Sequence, residues 1–148
     1  MSIKDRQMNI ERLLNAPVEL VWEVWTNPEH IKNWWGPDGF TNTIHKMEVK
    51  EGGMWEFIMH GPDGTDFKNK NMFTKIEKHK CIRMEHVTAP KFSFEILFTS
   101  QGNKTLMQWT STFESAEQLQ EVIKVFKADV GQKQNVEKLE AYLEKHKL

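Results

Sequence analysis

Hydrophobic and polar positions along this chain follow two periods, and the change from one to the other marks its elements. A weak alternation over Ile3 to Leu14, carried by Met8, Ile10, Leu13 and Leu14, predicts a first strand. Asn15-Ala16-Pro17 then opens a helix in which Val18, Val21, Trp22 and Trp25 recur at helical spacing, and Thr26-Asn27-Pro28 stops it. A second, short helix is expected over Glu29 to Trp35, ending at Gly36, so that Trp34 and Trp35 sit at its exit. Beyond Phe40 the period becomes two: His45, Met47, Val49; Trp55, Phe57, Met59; Ile82, Met84, His86; Phe92, Phe94, Ile96, Phe98; and Met107, Trp109, Ser111, Phe113. Each set reads as a strand with one buried face.

Short breaks at Glu51-Gly52-Gly53, Gly61 to Gly64, Lys78-His79-Lys80, Ala89-Pro90 and Gln101 to Lys104 separate these runs as hairpin connections would. GPDG occurs at Gly36 to Gly39 and again at Gly61 to Gly64, and each fits a turn with Pro second and Gly fourth. From Ser115 the helical period returns. Ser115 is a candidate N-cap with Gln118 completing a capping box, Leu119, Val122, Ile123 and Phe126 form one apolar face, and Val136, Leu139 and Leu143 form another after a bend expected near Gly131. The predicted class is α+β: a curved antiparallel sheet of about six to seven strands wrapped on a long C-terminal helix, with two short helices after the first strand. A helix laid across a curved sheet fills its concavity incompletely, so a cavity at one end is expected.

Composition sharpens this picture. The 148 residues hold six Trp, nine Phe and eight Met, an interior rich in large flat and soft side chains. Each buried aromatic removes about 150–250 Å² from water, so packing alone accounts for many of them. A chain of this length builds its core without disulfides or metal, and residues 1–148 are read as one domain. The charges nearly cancel, with Lys and Arg at 20 against 21 Asp and Glu, and they are scattered along the chain. That pattern argues against nucleic acid, which demands a basic footprint. The lone Cys81 excludes an internal disulfide or a thiol metal motif, and the expected compartment is the cytoplasm. No signal-like or membrane-length apolar run is present in the sequence, so neither export nor membrane insertion is expected.

Four segments carry a resemblance over nearly the whole chain: APVELVWEVWTNPEHIKNWWGPDGF (Ala16 to Phe40), EGGMWEF (Glu51 to Phe57), MHGPDG (Met59 to Gly64) and MQWTSTFES (Met107 to Ser115). As a set they resemble the START-like helix-grip superfamily and, within it, the family named after the activator of the heat-shock protein 90 ATPase (homologue-1-like). The resemblance implies a helix-grip fold with a largely apolar central cavity beneath the C-terminal helix, used by many members for hydrophobic small molecules. It does not select one function, since the superfamily includes binding proteins, cyclases and hydrolases, and the eponymous members are co-chaperones. The chain is expected to be complete as one unit without a preceding domain, which argues against chaperone activation.

Strand parity nominates site residues. With Trp55, Phe57 and Met59 inward, Glu56 and His60 point out or lie at the mouth, and His45, Met47, Met84, His86, Met107, Trp109 and Ser111 fall on the concave face. Trp34 and Trp35 offer either a lid that stacks on an aromatic ligand or a permanent plug, and Phe126 adds a ring from the helical segment. His86 and His45 are polar handles for a ligand, acid–base groups, or core histidines bonded to backbone. A zinc site from His45, His60 and His86 conflicts with parity, and Ser93, Ser111 and Cys81 lack a nucleophile motif. The leading expectation is a noncatalytic binder of a small hydrophobic, aromatic or polycyclic molecule, without metal or cofactor, monomeric or weakly dimeric. The alternatives are a co-chaperone-like interaction module and a cyclase or hydrolase using a cavity histidine.

Overall fold

The computed structural model describes residues 3–88 and 91–146. A single 3₁₀ turn (Ile3–Arg6) leads into β1 (Gln7–Leu14), followed by α1 (Val18–Thr26) and α2 (Pro28–Ile31). Six strands come next: β2 (Thr41–Met47), β3 (Met54–His60), β4 (Asp66–Glu77), β5 (Cys81–His86), β6 (Phe92–Gln101) and β7 (Lys104–Phe113). Two helices, α3 (Ala116–Phe126) and α4 (Ala128–His146), close the chain. All seven strands form one curved, unclosed antiparallel sheet in the order β1-β7-β6-β5-β4-β3-β2. The expected α+β helix-grip architecture is thus the observed one. The Ala89-Pro90 break lies outside the described residues.

Local chemistry sets the helix limits. Pro17 is the N-cap of α1, its carbonyl accepting from the Leu20 and Val21 amides at 3.1 Å. Asn27 is held extended by the proline that follows, which ends α1. Its side chain then accepts the Glu29 amide at 2.9 Å and so caps α2. The second helix is shorter than its pattern predicts: it stops at Ile31, and Trp34 and Trp35 belong to the turns after it. Ser115 does cap α3, accepting the Gln118 amide at 3.0 Å, but the Gln118 side chain returns to the Glu114 amide instead of that of Ser115. The bend expected near Gly131 falls earlier, at Lys127, whose left-handed backbone (φ 52°) separates α3 from α4, while Gly131 lies inside α4.

Two placements on the strands depart from simple parity. Pairing of β2 with β3 skips His45, between Ile44↔Phe57 and Lys46↔Glu56, so His45 is the extra residue of a bulge and is exposed. It does not share the inner face with Met47. On β1, Leu13 points out and is 45% exposed, whereas Arg12 occupies the inner phase opposite Met107 and reaches Glu140 of α4 at 2.6 Å.

The core sits between the sheet, α1, the turns after α2 and the buried face of α4, Val136, Leu139 and Leu143. Trp25 of α1 is its centre, packing edge-on against Trp34, Trp35, Phe98 and Trp109 at centroid separations of 4.8–6.1 Å. Such pairs add about 0.5–1.5 kcal/mol each beyond the area they bury. A smaller cluster of Phe113, Leu119 and Val122 seats α3 on the sheet end.

Thr105 ties β7 to the approach of α1: its fully buried hydroxyl donates to the Ala16 carbonyl at 2.8 Å. Thr105→Val keeps the shape and strands that buried carbonyl, so a loss of about 1–3 kcal/mol is expected in urea unfolding. A second prediction concerns the adjacent glycines of the β2–β3 turn. A Cβ on Gly53 would lie 2.1 Å from the Glu48 carbonyl oxygen, whereas one on Gly52 (φ +81°) meets nothing within 4 Å. Gly52→Ala should cost about 1–2 kcal/mol from its left-handed backbone alone, and Gly53→Ala distinctly more, since backbone must move. Equal losses in the same unfolding assay would contradict that reading.

Candidate functional site

At the end of the grip where α4 begins, a pocket of about 260 Å³ lies between the inner face of the sheet, the Gly36-Pro37 turn and the α3–α4 junction. Its walls are rings. Trp35 stacks on Trp109 (5.5 Å, 20°), Phe94 meets both edge-on at 6.0 Å, and Phe57, Phe92 and Phe113 complete the lining with Met8 and Met59. No Lys, Arg, Asp or Glu is among the residues that line it.

The loop bearing Trp34 and Trp35 is fixed from both sides. Trp34 is fully buried and donates its indole N–H to the Val24 carbonyl at 3.1 Å, while Asn135 of α4 donates to the Trp34 carbonyl at 2.8 Å. Lys138 of α4 reaches the carbonyls of Gly36, Pro37 and Phe40 at 3.2–3.4 Å. Burial pushes the Lys138 ammonium below the ordinary lysine range, partly opposed by Asp38. Trp34 is therefore a core residue and not a lid; Trp35 is a wall.

Polar side chains enter this apolar enclosure in two groups. The first is internally paired. Asn69 donates to the Phe67 carbonyl at 3.0 Å, so its Oδ1 is the acceptor facing His86 Nε2 at 2.9 Å. This holds His86 with a proton on Nε2; Thr88 Oγ1 lies 3.2 Å from the same nitrogen and the Phe92 ring stacks on the imidazole at 4.7 Å. The second group is unpaired. Asn71 Oδ1, Ser111 Oγ and Gln132 Nε2, with the Trp109 indole N–H, are buried and have no hydrogen-bond partner among the described residues. Each such atom costs about 1–3 kcal/mol when it stays unsatisfied.

Of the residues nominated from sequence, Trp35, Phe57, Met59, His86, Trp109, Ser111 and Phe126 line this pocket. Phe126 does so from the rim, 65% exposed, instead of from a buried helix face. Trp34, Trp55, Met84 and Met107 are buried in the core and do not line the pocket, although Trp55 and Met84 pack directly behind Phe57 and Asn71; Met47 is half-buried at the end of β2, and His45 is outside. Asn69, Asn71, Gln132 and Asn135 were missed. β4 carries Asn69 and Asn71 in a stretch too polar to show an apolar alternation, and α4 buries Gln132 and Asn135 on the same face as Val136 and Leu139. A buried-face reading of α4 that ignored residue type would have found the latter pair.

Other chemistry lies elsewhere. His60 bridges Thr43 Oγ1 (Nε2, 2.7 Å) and Asp66 (Nδ1, 2.7 Å) on the outer face, an order of groups that resembles a hydrolytic triad. It is open to solvent, with the Asp66 side chain 59% exposed, and stands apart from the aromatic pocket. The Cys81 thiol is buried and pushed above its ordinary range by that burial, which disfavours the thiolate a nucleophile needs. A more polar groove of about 360 Å³, bordered by Arg6, Glu85, Lys91 and Glu114, adjoins the pocket and shares His86, Phe92 and Phe113 with it. No helix among the described residues is long and apolar enough to cross a membrane.

Comparison with known proteins places this geometry. Among solved structures, a protein of Arthrobacter aurescens is 26% identical and superposes with a TM-score of 0.90, covering 98% of this chain and 90% of its own. A Nitrosomonas europaea protein, 20% identical, gives 0.84 over 95% of this chain and 96% of that one. An Aeromonas hydrophila protein described as like the Hsp90-activator homologue, 22% identical, gives 0.71 over 93% and 92%. No curated protein matches the sequence. The family model described as Activator of Hsp90 ATPase homolog 1-like protein matches residues 15–144, from the approach of α1 to the last turns of α4. With that span matched and the helix-grip sheet in place, the chain belongs to the Activator of Hsp90 ATPase homolog 1-like family of START-like proteins.

Proposed function

We propose that residues 1–148 act as one helix-grip domain that binds a small, hydrophobic, flat molecule in the pocket under α4, without chemistry. One observation carries this reading: six aromatic rings, with that of Phe126 at the rim, wall a partly open pocket of about 260 Å³ that no Lys, Arg, Asp or Glu lines. Ligand pockets commonly run to about 300–1,000 Å³, and an apolar cavity of about 150 Å³ holds a benzene ring. The space here suits a body of about two fused rings. The exposed ring of Phe126 at the rim gives such a body apolar surface on the way in.

His86 belongs to this reading as a wall group. Its Nε2 proton is directed at Asn69 and its ring is stacked on Phe92, an arrangement that orients a side chain without freeing that nitrogen to act as a base. A chaperone-directed role is the competing proposal that the family suggests, and it makes no use of the pocket.

A thermal-shift screen of two-ring aromatic compounds, followed by methionine-methyl NMR, tests the proposal. A ligand at 100 times its Kd adds about 2.7 kcal/mol, which for a chain of this size raises Tm by about 5–10 °C. The Met8 and Met59 methyls, which line the pocket, should shift, while those of Met47 and Met107 stay nearly still. No stabilisation by any compound, or shifts confined to the outer face, would overturn the reading. Stimulation of a heat-shock protein 90 ATPase that is indifferent to a bound ligand would replace it with the co-chaperone role.

A further inference from the structure

We propose that the pocket selects uncharged ligands whose flat apolar body carries a group that both donates and accepts hydrogen bonds, a carboxamide being the simplest. Asn71, Ser111 and Gln132 are its partners. The inference rests on the binding reading above and adds what the ligand must carry.

The three side chains come from three separate elements, β4, β7 and α4, and all line the same pocket. They are 1%, 1% and 8% exposed, so bulk water does not serve them. Their unpaired atoms are complementary in kind: Asn71 Oδ1 accepts, Gln132 Nε2 donates, and the Ser111 hydroxyl does either. Asn71 is further fixed by its own amide N–H, which points at the Met84 sulfur at 3.5 Å. The other polar residues of the wall behave differently, Asn69 bonding His86 and the Phe67 carbonyl, and Asn135 bonding the Trp34 carbonyl. Four unpaired polar atoms, these three and the Trp109 indole N–H, belong to residues around one cavity and match a group that arrives from outside; Trp25 Nε1, Trp55 Nε1 and Asn42 Oδ1 are also unpaired, but their residues do not line it. A carboxamide offers a carbonyl to Gln132 or Ser111 and an N–H to Asn71.

Charge decides what the group cannot be. With no Lys or Arg in the lining, a carboxylate or phosphate would lose its hydration and meet no cation. With no Asp or Glu, an amine fares no better. A purely apolar ligand would leave the three polar atoms unpaired as they are in the free protein, whereas a ligand with the matching group satisfies them, and sites built to hydrogen-bond discriminate strongly against analogues that lack that group.

The test is calorimetric titration of the full chain with naphthalene, 2-naphthamide and 2-naphthoate, repeated on Ser111→Ala and Gln132→Leu, with the Tm of each free protein measured alongside. The amide should bind the wild type at least ~10-fold tighter than either of the other probes, and each variant should weaken the amide by ~10-fold while changing naphthalene by less than ~2-fold. Because each substitution removes an unpaired buried group, the free variants should melt at the wild-type temperature or above it. A merely structural role would lower Tm and leave the amide's advantage intact. Equal affinity for naphthalene and the amide, or tightest binding of the naphthoate, overturns this inference while leaving the pocket a binding site. Failure of all three probes to bind overturns both. The wild-type probe series reads out by itself should either variant fail to fold.

Discussion

Everything in this protein is referred to the meeting of four indoles, Trp25, Trp34, Trp35 and Trp109. Trp25 rises from α1, Trp34 and Trp35 come from the turns after α2, and Trp109 stands on β7, one strand in from the sheet edge, so the cluster joins three parts of the chain that have no shared hydrogen-bond ladder. The helix pair crosses from one edge strand, β1, to the other, β2, and this joint is where the crossing is pinned to the sheet. Asn135 and Lys138 then secure the same turns to α4 through backbone carbonyls. Rigid rings at the joint have a consequence for the cavity. Trp35 and Trp109 are already stacked on one another, so their exposed faces and edges form a fixed wall and cannot collapse into the space beside them.

That rigidity explains how unpaired polar atoms survive in the interior. In a deformable core, Ser111 or Gln132 would turn toward a backbone carbonyl and satisfy itself. Here the neighbouring main-chain groups of β7 are committed to ladders with β1 and β6, and those of α4 to the helix. The cost falls on folding, at about 1–3 kcal/mol for each atom, in a molecule whose whole margin is about 5–15 kcal/mol. Departures from local consistency of this size concentrate where a protein works. The bonded Asn69–His86 pair and the unbonded Asn71 Oδ1, two residues along the same strand, set the two kinds of buried polar group next to one another.

How much of this was legible in the sequence follows from which interactions are local. The inward phase of β3, β5 and β7, the Pro17 start of α1 and the Ser115 cap of α3 depend on near neighbours and could be read directly. The bulge that expels His45 could not, because it is a property of pairing with β3 and leaves no mark on β2 itself. The break at Lys127 was hidden for a related reason. A lysine with a left-handed backbone is disfavoured locally, and Gly131 nearby was the natural candidate, yet Gly131 is needed inside α4, where its bare Cα sits against Pro37. Apolar periodicity also cannot see Asn69, Asn71, Gln132 and Asn135, since it scores buried polar residues as exposed. The site is most visible to pattern where it is apolar and least visible where it is specific.

Membership of the family and likeness of fold leave the ligand open, because a helix-grip sheet presents its inner positions as a set that can change without disturbing the ladder. The separation is physical. The overall inward apolar pattern and the turns determine register, and the indole joint determines where the helix pair lies. Neither constrains the identity of residues 71, 111 and 132 beyond their volume. A leucine, alanine or serine at such positions fits the same backbone, and an apolar choice would make the free protein more stable. Three uncharged polar residues placed against a wall of rings are therefore informative in a way that the rings are not: aromatic packing is explained by the core it completes, whereas Asn71, Ser111 and Gln132 are left with hydrogen-bonding capacity that the described residues do not use.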